Sequence, residues 1–233
     1  MLGTEVQIPR ASGPSLTAYA ALPKGASRGM VVIHELFGRQ PEIDRVVERF
    51  AEAGYAAVGP DLFEGVTKLR CIRQSLATIG SGEGMIAERI EDARRWLCEH
   101  GGLDEARVGV IGFCLGGGLA LAVGRHYGGV STNYGDLPPA EVLRRSPPII
   151  GCYGGRDRVF RRNAERLPER MAALGKGDQV ETHVFPTVGH SFLTDGHHPV
   201  ASLLSRPLFE IRWDPAVAED GWGRIMAFFE RTL

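Results

Sequence analysis

The sequence predicts an α/β fold in which a mostly parallel central sheet is covered by helices on both faces. Short continuous apolar runs, which suit strands buried on both faces, alternate along the chain with amphipathic helical segments. Residues 5–8 and 16–22 instead alternate with period two and have no helix between them, which predicts an antiparallel N-terminal edge. No repeat, low-complexity block or long linker divides the 233 residues, so 1–233 are expected to form a single domain.

After these two strands, each element follows a local signal. Residues 29–34 are a continuous apolar run typical of a buried strand. Residues 41–53 carry apolar side chains at helical spacing, between a proline suited to the first turn and a glycine suited to the stop. A short strand is predicted over 56–59, followed by a helix over 83–100 that has one apolar stripe and ends at two glycines.

The second half of the chain repeats this alternation. A strand over 107–112 precedes a helix over 115–125, a strand over 148–153 precedes a helix over 163–174, and a further strand covers 179–185. A last helix is expected to begin at Asp214, which suits the N-cap and is followed by a proline. Residues 62–82 and 191–213 lack such periodicity, so they are predicted to be irregular and to form pocket walls.

Composition and charge describe an ordinary globular chain. Hydrophobic residues make up 43% and charged residues 24%, and 27 basic against 28 acidic residues leave a net charge of -1. The composition argues against a disordered chain. The near-zero net charge argues against a dedicated binder of nucleic acid or anionic membranes. The four cysteines include no CxxC pair, and the first residues lack the apolar segment of a signal peptide. We therefore expect a cytoplasmic protein with no metal site and no cofactor; its oligomeric state stays open.

The most informative stretch is Gly112-Phe-Cys114-Leu-Gly116, between a predicted strand and a predicted helix. Its G-x-C-x-G pattern is that of a nucleophile elbow with cysteine in place of serine. The turn is so sharp that side chains two positions before and after the nucleophile would collide, which explains the glycines. A cysteine at a helix N-terminus is also favoured as thiolate by the helix dipole. The alternative is a small buried cysteine in a tight contact between strand and helix.

An elbow nucleophile requires an acid and then a histidine further along the chain. Asp157 follows the predicted strand over 148–153, and His190 follows the next strand. The carboxyl ends of parallel strands are where catalytic groups gather. Each residue also has an ordinary alternative, a turn aspartate or a surface-loop histidine. The rival histidines, less well placed in the chain, are His34, His183, His197 and His198.

The loop His34-Glu35-Leu36-Phe37-Gly38 follows the first buried strand. In folds that carry a nucleophile elbow, this loop supplies one backbone N–H of an oxyanion hole, and the residue after the nucleophile, here Leu115, supplies the other. Such a pair of donors stabilises negative charge that develops in the transition state. The Glu35 carboxylate is unusual so close to that charge, and its alternative is an ordinary surface glutamate.

Five segments together resemble the dienelactone hydrolase family of α/β-hydrolases. They are HELFG at 34–38, PDLF at 60–63, GFCLGG at 112–117, GGRD at 154–157 and GHSF at 189–192. The resemblance covers nearly the whole chain and implies an α/β-hydrolase fold without a separate lid domain. It implies a cysteine-dependent hydrolase of esters or lactones that works through an acyl-enzyme.

The resemblance also implies the site residues. Cys114, Asp157 and His190 would form the triad, and Glu35 would contact the thiol and accept its proton when substrate binds. Leu36 and Leu115 would donate the oxyanion-hole N–H groups. The residues expected to bind substrate are Phe37, Tyr134, Phe192, Thr194 and Arg73.

One departure from the family pattern concerns the substrate. The family carries an arginine that grips a substrate carboxylate four residues after the catalytic histidine, and this chain has Thr194 there. Arg70 and Arg73 lie in the stretch where the family carries a second arginine. The resemblance thus predicts the hydrolytic machinery and leaves the natural substrate open. The alternatives are a non-catalytic binding or thiol-sensor protein on the same fold, and a different class of cysteine-elbow enzyme whose characteristic histidine positions do not occur here.

Overall fold

A computed structural model describes residues 2–10, 13–195, 209–211 and 213–233. The strands of this part of the chain are β1 (Thr4–Ile8), β2 (Leu16–Ala21), β3 (Gly29–Ile33), β4 (Ala56–Pro60), β5 (Val108–Phe113), β6 (Gly129–Asn133), β7 (Ile149–Gly154) and β8 (Val180–Phe185). Its α-helices are α1 (Pro41–Glu52), α2 (Lys68–Ser81), α3 (Met85–Gly101), α4 (Leu115–Val123), α5 (Ala140–Leu143), α6 (Asn163–Ala173) and α7 (Pro215–Thr232).

The strands form one eight-stranded sheet in the order β1-β2-β4-β3-β5-β6-β7-β8. The β1–β2 and β2–β4 pairs are antiparallel, and every other pair is parallel. The predicted parallel sheet with an antiparallel N-terminal edge is therefore confirmed. All residues of β3 and β5 are buried, as their continuous apolar runs predict. That residues 1–233 form a single domain stays a prediction.

Helices cover both faces of the sheet, as predicted. One apolar cluster contains buried residues of α2, α3, α4 and α6, and a second contains those of α1 and α7. The carboxyl ends of β3, β5, β7 and β8 meet at one edge because these strands run parallel, and the loops that follow them carry the predicted site residues. Within the described residues, no helix is both long and apolar enough to cross a membrane.

The prediction that 62–82 are irregular is wrong, because helix α2 occupies most of this stretch. Its buried residues include Ser75 and Thr78, while Leu69 and Leu76 are exposed, so the apolar stripe that signals a helix is weak. The helix ends at Gly82, whose φ of 73° is the left-handed conformation that favours glycine.

Strand β6 has no counterpart among the predicted elements. Its sequence is Gly-Val-Ser-Thr-Asn, which lacks an apolar run, yet every residue is buried between β5 and β7. Two of its polar side chains satisfy each other, since Asn133 Nδ2 donates to Ser131 Oγ at 3.2 Å. The predicted irregular stretch 191–213 is described only in part, and His197 and His198 lie outside the described residues.

Candidate active site

Cys114 lies at the sharp turn between β5 and α4. Its backbone has φ 54° and ψ −116°, a conformation that is strained for any residue except glycine. A Cβ atom on Gly112 would lie 1.9 Å from Gly116 O, and a Cβ atom on Gly116 would lie 2.5 Å from the carbonyl oxygens of Ile33 and His34. The steric collision predicted for these two positions is therefore confirmed.

The end of β6 holds this turn in place. The Cys114 N–H donates to Asn133 O at 3.0 Å, and the buried Asn133 side chain donates from Nδ2 to Gly112 O at 3.1 Å. The strained backbone is thus tied to the neighbouring strand at Cys114 and at the residue two positions before it. Asn133 is absent from the predicted site because β6 itself is not predicted.

Asp157 and His190 form a buried hydrogen-bonded pair. His190 Nδ1 lies 2.6 Å from Asp157 Oδ2, and the two side chains are 5% and 1% exposed, respectively. The other carboxylate oxygen accepts from the backbone N–H groups of Val159 and Phe160 at 2.9 and 3.0 Å. The carboxylate is therefore oriented by the backbone, and it favours the imidazole tautomer that carries a proton on Nδ1.

The other ring nitrogen of His190 is Nε2, and Cys114 lies within electrostatic reach of the imidazole. His190 Nε2 is buried and has no hydrogen bond of standard geometry to the described residues. Burial lowers the pKa of His190, but the charge and contact of Cys114 together with Asp157 outweigh it and raise the pKa to about 10. Asp157 is therefore bonded to one side of the His190 ring, and Cys114 influences the same ring.

Aromatic rings enclose the imidazole. The ring centroids of Tyr134, Phe160 and Phe209 lie 4.8, 5.4 and 5.0 Å from that of His190. The backbone N–H of His190 also donates to Phe209 O at 2.7 Å. This packing restricts the ring to one orientation and shields the pair from water, which strengthens its electrostatic interactions.

The two predicted oxyanion donors belong to different segments. Leu36 lies in a turn that is closed by the Gly38 N–H, which donates to Glu35 O at 3.3 Å. Leu115 is the first residue of α4, and the first N–H groups of a helix have no acceptor within the helix. The close approach of Gly116 to the His34 carbonyl brings these two segments side by side.

Glu35 reaches the loop that follows His190. Its Oε1 accepts from Ser191 Oγ at 3.0 Å and from Thr194 Oγ1 at 3.4 Å. Burial raises the pKa of Tyr134, and Glu35 and Cys114 raise it further, so both groups lie within electrostatic reach of that phenol. Ser191, whose φ of 56° is positive, is absent from the predicted site, although its position next to His190 was a signal for it.

A model of the dienelactone hydrolase family matches residues 16–233. The chain belongs to the dienelactone hydrolase family. The predicted resemblance is therefore confirmed, and so is the assignment to a family of hydrolases.

Relatives in the dienelactone hydrolase family are similar to nearly the whole of this chain. The chain is 28% identical to a putative carboxymethylenebutenolidase of Methylorubrum extorquens, with 99% of this chain and 81% of the relative covered. It is 28% identical to the carboxymethylenebutenolidase of Rhodococcus opacus, with 92% and 85% covered. The crystal structure of a putative dienelactone hydrolase from Klebsiella pneumoniae is similar with a TM-score of 0.78 at 23% identity, covering 98% of both chains. This likeness confirms the α/β-hydrolase fold.

The residues predicted to bind substrate occupy different environments. Phe37, in the turn that contains Leu36, is 52% exposed. Tyr134, Phe192 and Thr194 are buried beside Glu35 and His190, so their direct contact with a substrate stays a prediction. Arg73 lies on the exposed face of α2, and no hydrogen bond or ion pair joins it to the other predicted site residues within the described chain.

Proposed function

We propose that this member of the dienelactone hydrolase family hydrolyses carboxylic esters or lactones through a Cys114–His190–Asp157 triad. The observation that carries the proposal is the position of His190, bonded to Asp157 at 2.6 Å on one side and influenced by the Cys114 thiol on the other. The names of two relatives, the carboxymethylenebutenolidase of Rhodococcus and the putative carboxymethylenebutenolidase of Methylorubrum, support ester or lactone chemistry. A cytoplasmic location and a small-molecule substrate belong to the same proposal.

In the acylation step, Glu35 accepts the thiol proton of Cys114, the resulting thiolate attacks the carbonyl carbon, and the C=O electron pair moves to the oxygen. The N–H groups of Leu36 and Leu115 stabilise this oxyanion. When the tetrahedral intermediate collapses, the C–O bond to the leaving group breaks, and the alkoxide takes the proton from the His190 imidazolium. An acyl thioester then occupies Cys114.

The charges at the site favour the direction of this proton transfer. Until the sulfur is acylated, the negative charge of the thiolate helps to raise the pKa of His190, so the imidazolium keeps its proton. Once the sulfur is acylated, that negative charge is gone and the imidazole releases its proton more readily. Only Asp157 then continues to stabilise the imidazolium.

In the deacylation step, neutral His190 takes a proton from water through Nε2 while the water oxygen attacks the thioester carbonyl. The second oxyanion accepts hydrogen bonds from the same two N–H groups. Its collapse breaks the C–S bond and releases the carboxylic acid, and the restored thiolate takes its proton back from Glu35. Asp157 keeps the ring in the required tautomer throughout, because Nδ1 remains its hydrogen-bond donor.

The direct test is an assay of the purified chain with p-nitrophenyl esters and with a panel of lactones. We expect hydrolysis with multiple turnovers, and mass spectrometry after rapid quenching should find the acyl group on the peptide that contains Cys114. A binding or thiol-sensor protein would instead react once with an electrophile and release no further product. That result on every ester and lactone would refute the proposed function.

The charge preference of the substrate provides a further prediction. Thr194 is neutral and buried, and its hydroxyl contacts the Tyr134 hydroxyl and the Glu35 carboxylate. It supplies no positive charge at a position where the family carries a substrate-binding arginine, and threonine cannot form the bidentate contact that arginine makes with a carboxylate. We expect kcat/KM for a carboxylated lactone to stay within about tenfold, or about 1.4 kcal/mol, of that for its methyl ester.

The ratio of kcat/KM for the carboxylated lactone to that for its methyl ester also gives the result that would contradict this prediction. A larger preference for the acid would contradict it and would require a cation elsewhere at the site. Arg73→Ala and Arg70→Ala would then identify the source, because both side chains are exposed on α2 and their removal is expected to leave the fold intact.

For ester turnover, the negative charge of Glu35 is expected to be more important than the hydrogen bonds that Glu35 accepts. Glu35→Gln keeps an oxygen that accepts from Ser191 Oγ but removes the negative charge near the thiol. A nearby negative charge disfavours the thiolate, so Cys114 in the variant should react with iodoacetamide at neutral pH as fast as in the wild type or faster. Ester turnover should nevertheless fall by about 10²-fold, because the acceptor for the thiol proton is lost.

The alkylation rate and kcat of Glu35→Gln are measured on the same preparation, with the exposed Glu88→Gln as control. A glutamate that only anchors its loop would leave turnover unchanged, because glutamine preserves the acceptor. Unchanged turnover in the folded variant would therefore remove Glu35 from the catalytic residues.

A further inference from the structure

We propose that His34 is a positioning residue that orients the oxyanion-hole N–H of Leu36. This inference rests on the proposed function, in which that N–H stabilises the developing oxyanion. His34 precedes the nucleophile in the chain, so it does not suit the role of triad base. Its ring is 1% exposed and lies beneath the turn that contains Leu36.

The hydrogen bonds of the ring define one tautomer of His34. The backbone N–H of Leu62 points at Nε2 from 3.1 Å, and an N–H group can only donate, so Nε2 accepts. The proton of the neutral ring therefore lies on Nδ1, which is 2.7 Å from Glu35 O and donates to it. Burial lowers the pKa of His34, which keeps the ring in this neutral form.

The bond to Glu35 O determines where the Leu36 N–H points. The Glu35 C=O and the Leu36 N–H belong to the same planar trans peptide, in which they point in opposite directions. Because His34 Nδ1 holds the C=O on one side, the N–H is held toward the other. The Gly38 N–H donates to the same carbonyl oxygen at 3.3 Å, so two donors restrain this peptide plane.

His34 is itself anchored on a rigid part of the fold. Its ring packs edge-on against Phe63 with 4.7 Å between centroids, next to the Leu62 N–H that it binds. Arg89 on α3 donates to Leu62 O at 2.7 Å and to Glu64 O at 2.9 Å, so the segment that anchors His34 is fixed in turn. The imidazole thus connects the turn of Leu36 to the connection between β4 and α2.

Two isosteric substitutions separate the two hydrogen bonds. His34→Asn carries an amide N–H close to the position of Nδ1, so it can still donate to Glu35 O, but it loses the acceptor for Leu62. His34→Gln reaches the position of Nε2, so it can still accept from Leu62, but it loses the donor to Glu35 O. Each variant removes one hydrogen bond, and only His34→Gln releases the peptide plane of Leu36.

We expect kcat for ester hydrolysis to fall by about 10²-fold in His34→Gln, the cost typical of losing one oxyanion donor. His34→Asn should retain a kcat roughly tenfold or more above that of His34→Gln. KM should change little in both, since the oxyanion forms only in the transition state. Alkylation of Cys114 by iodoacetamide needs no oxyanion hole, so its rate should match the wild type. His183→Gln, on β8, is the control.

Several outcomes would overturn the proposal. They are a kcat of His34→Gln equal to or above that of His34→Asn, a parallel fall in kcat and alkylation rate, or a fall in kcat/KM that arises from KM alone. Circular dichroism and thermal unfolding show whether the variants fold, and failure of both to fold would make His34 a requirement of the fold instead. Failure of the proposed function is a separate result, because the wild type itself would then not turn over esters.

Discussion

Replacing Cys114 with alanine is expected to abolish ester hydrolysis, with a loss in kcat of at least about 10⁴-fold. Alanine, like cysteine, is small enough for the strained turn, but it has no sulfur to form the acyl-enzyme. Initial rates with p-nitrophenyl acetate measure the loss, and the fold is checked by circular dichroism. A Cys114→Ala protein that hydrolyses the ester at the wild-type rate would refute covalent catalysis at this position.

The other cysteines are the matched controls for this experiment. Burial raises the pKa of the Cys71, Cys98 and Cys152 thiols, which makes them poor nucleophiles at neutral pH. Cys98→Ala is the most conservative of the three substitutions because this side chain is only partly buried, on α3. Its activity should equal that of the wild type, and iodoacetamide should modify Cys114 first in both proteins.

Removing either member of the Asp157–His190 pair is expected to lower kcat by about 10²-fold or more, with little change in KM. His190→Ala removes the group that moves protons to the leaving group and from water. Asp157→Asn places an amide where the carboxylate accepts from Nδ1 at 2.6 Å, so the imidazole loses both its tautomer and the charge that stabilises its protonated form.

The direction in which the pH profile of kcat shifts in Asp157→Asn also tests whether Asp157 stabilises the His190 imidazolium. Asp157 raises the pKa of His190, so its removal lets the imidazole lose its proton at lower pH. If deacylation requires neutral His190, the acid limb of the residual kcat should move to lower pH in this variant. A shift to higher pH, or none, would contradict the role given to Asp157.

Surface residues of the same types are the controls for the pair. His183→Ala removes a histidine that contacts Arg224, and Asp220→Asn removes an exposed aspartate that pairs with the same arginine. Both should retain wild-type activity. If His197→Ala or His198→Ala lost activity while His190→Ala did not, the choice of base would be wrong.

Local sterics and periodicity explain what could be predicted from the sequence. The elbow pattern spans five consecutive residues, and the collision at Gly112 is with the backbone of Gly116 in the same turn, whereas Gly116 is constrained by the carbonyl oxygens of Ile33 and His34. The buried strands β3 and β5 appear as apolar runs because both of their faces are covered. Such features are encoded within a few residues, so they can be predicted before any long-range contact is known.

Other elements depend on what the chain folds against. Helix α2 buries Ser75 and Thr78 and exposes Leu69 and Leu76, so its environment rather than its apolar pattern makes it a helix. Strand β6 buries a polar sequence because it lies between two strands that supply its backbone partners. Neither element carries the periodicity on which the prediction of the others depended.

The sequence by itself determined the strands and helices other than β6, α2 and α5, the elbow at Cys114, and the family through its five motifs. Only the tertiary structure decided which side chains meet. Glu35 and Ser191 are 156 positions apart and form a hydrogen bond of 3.0 Å. His34 is 28 positions from the Leu62 N–H that defines its tautomer. Periodicity and backbone strain are properties of neighbouring residues, whereas a hydrogen bond across loops depends on distances that exist only after the sheet has brought the ends of its strands together.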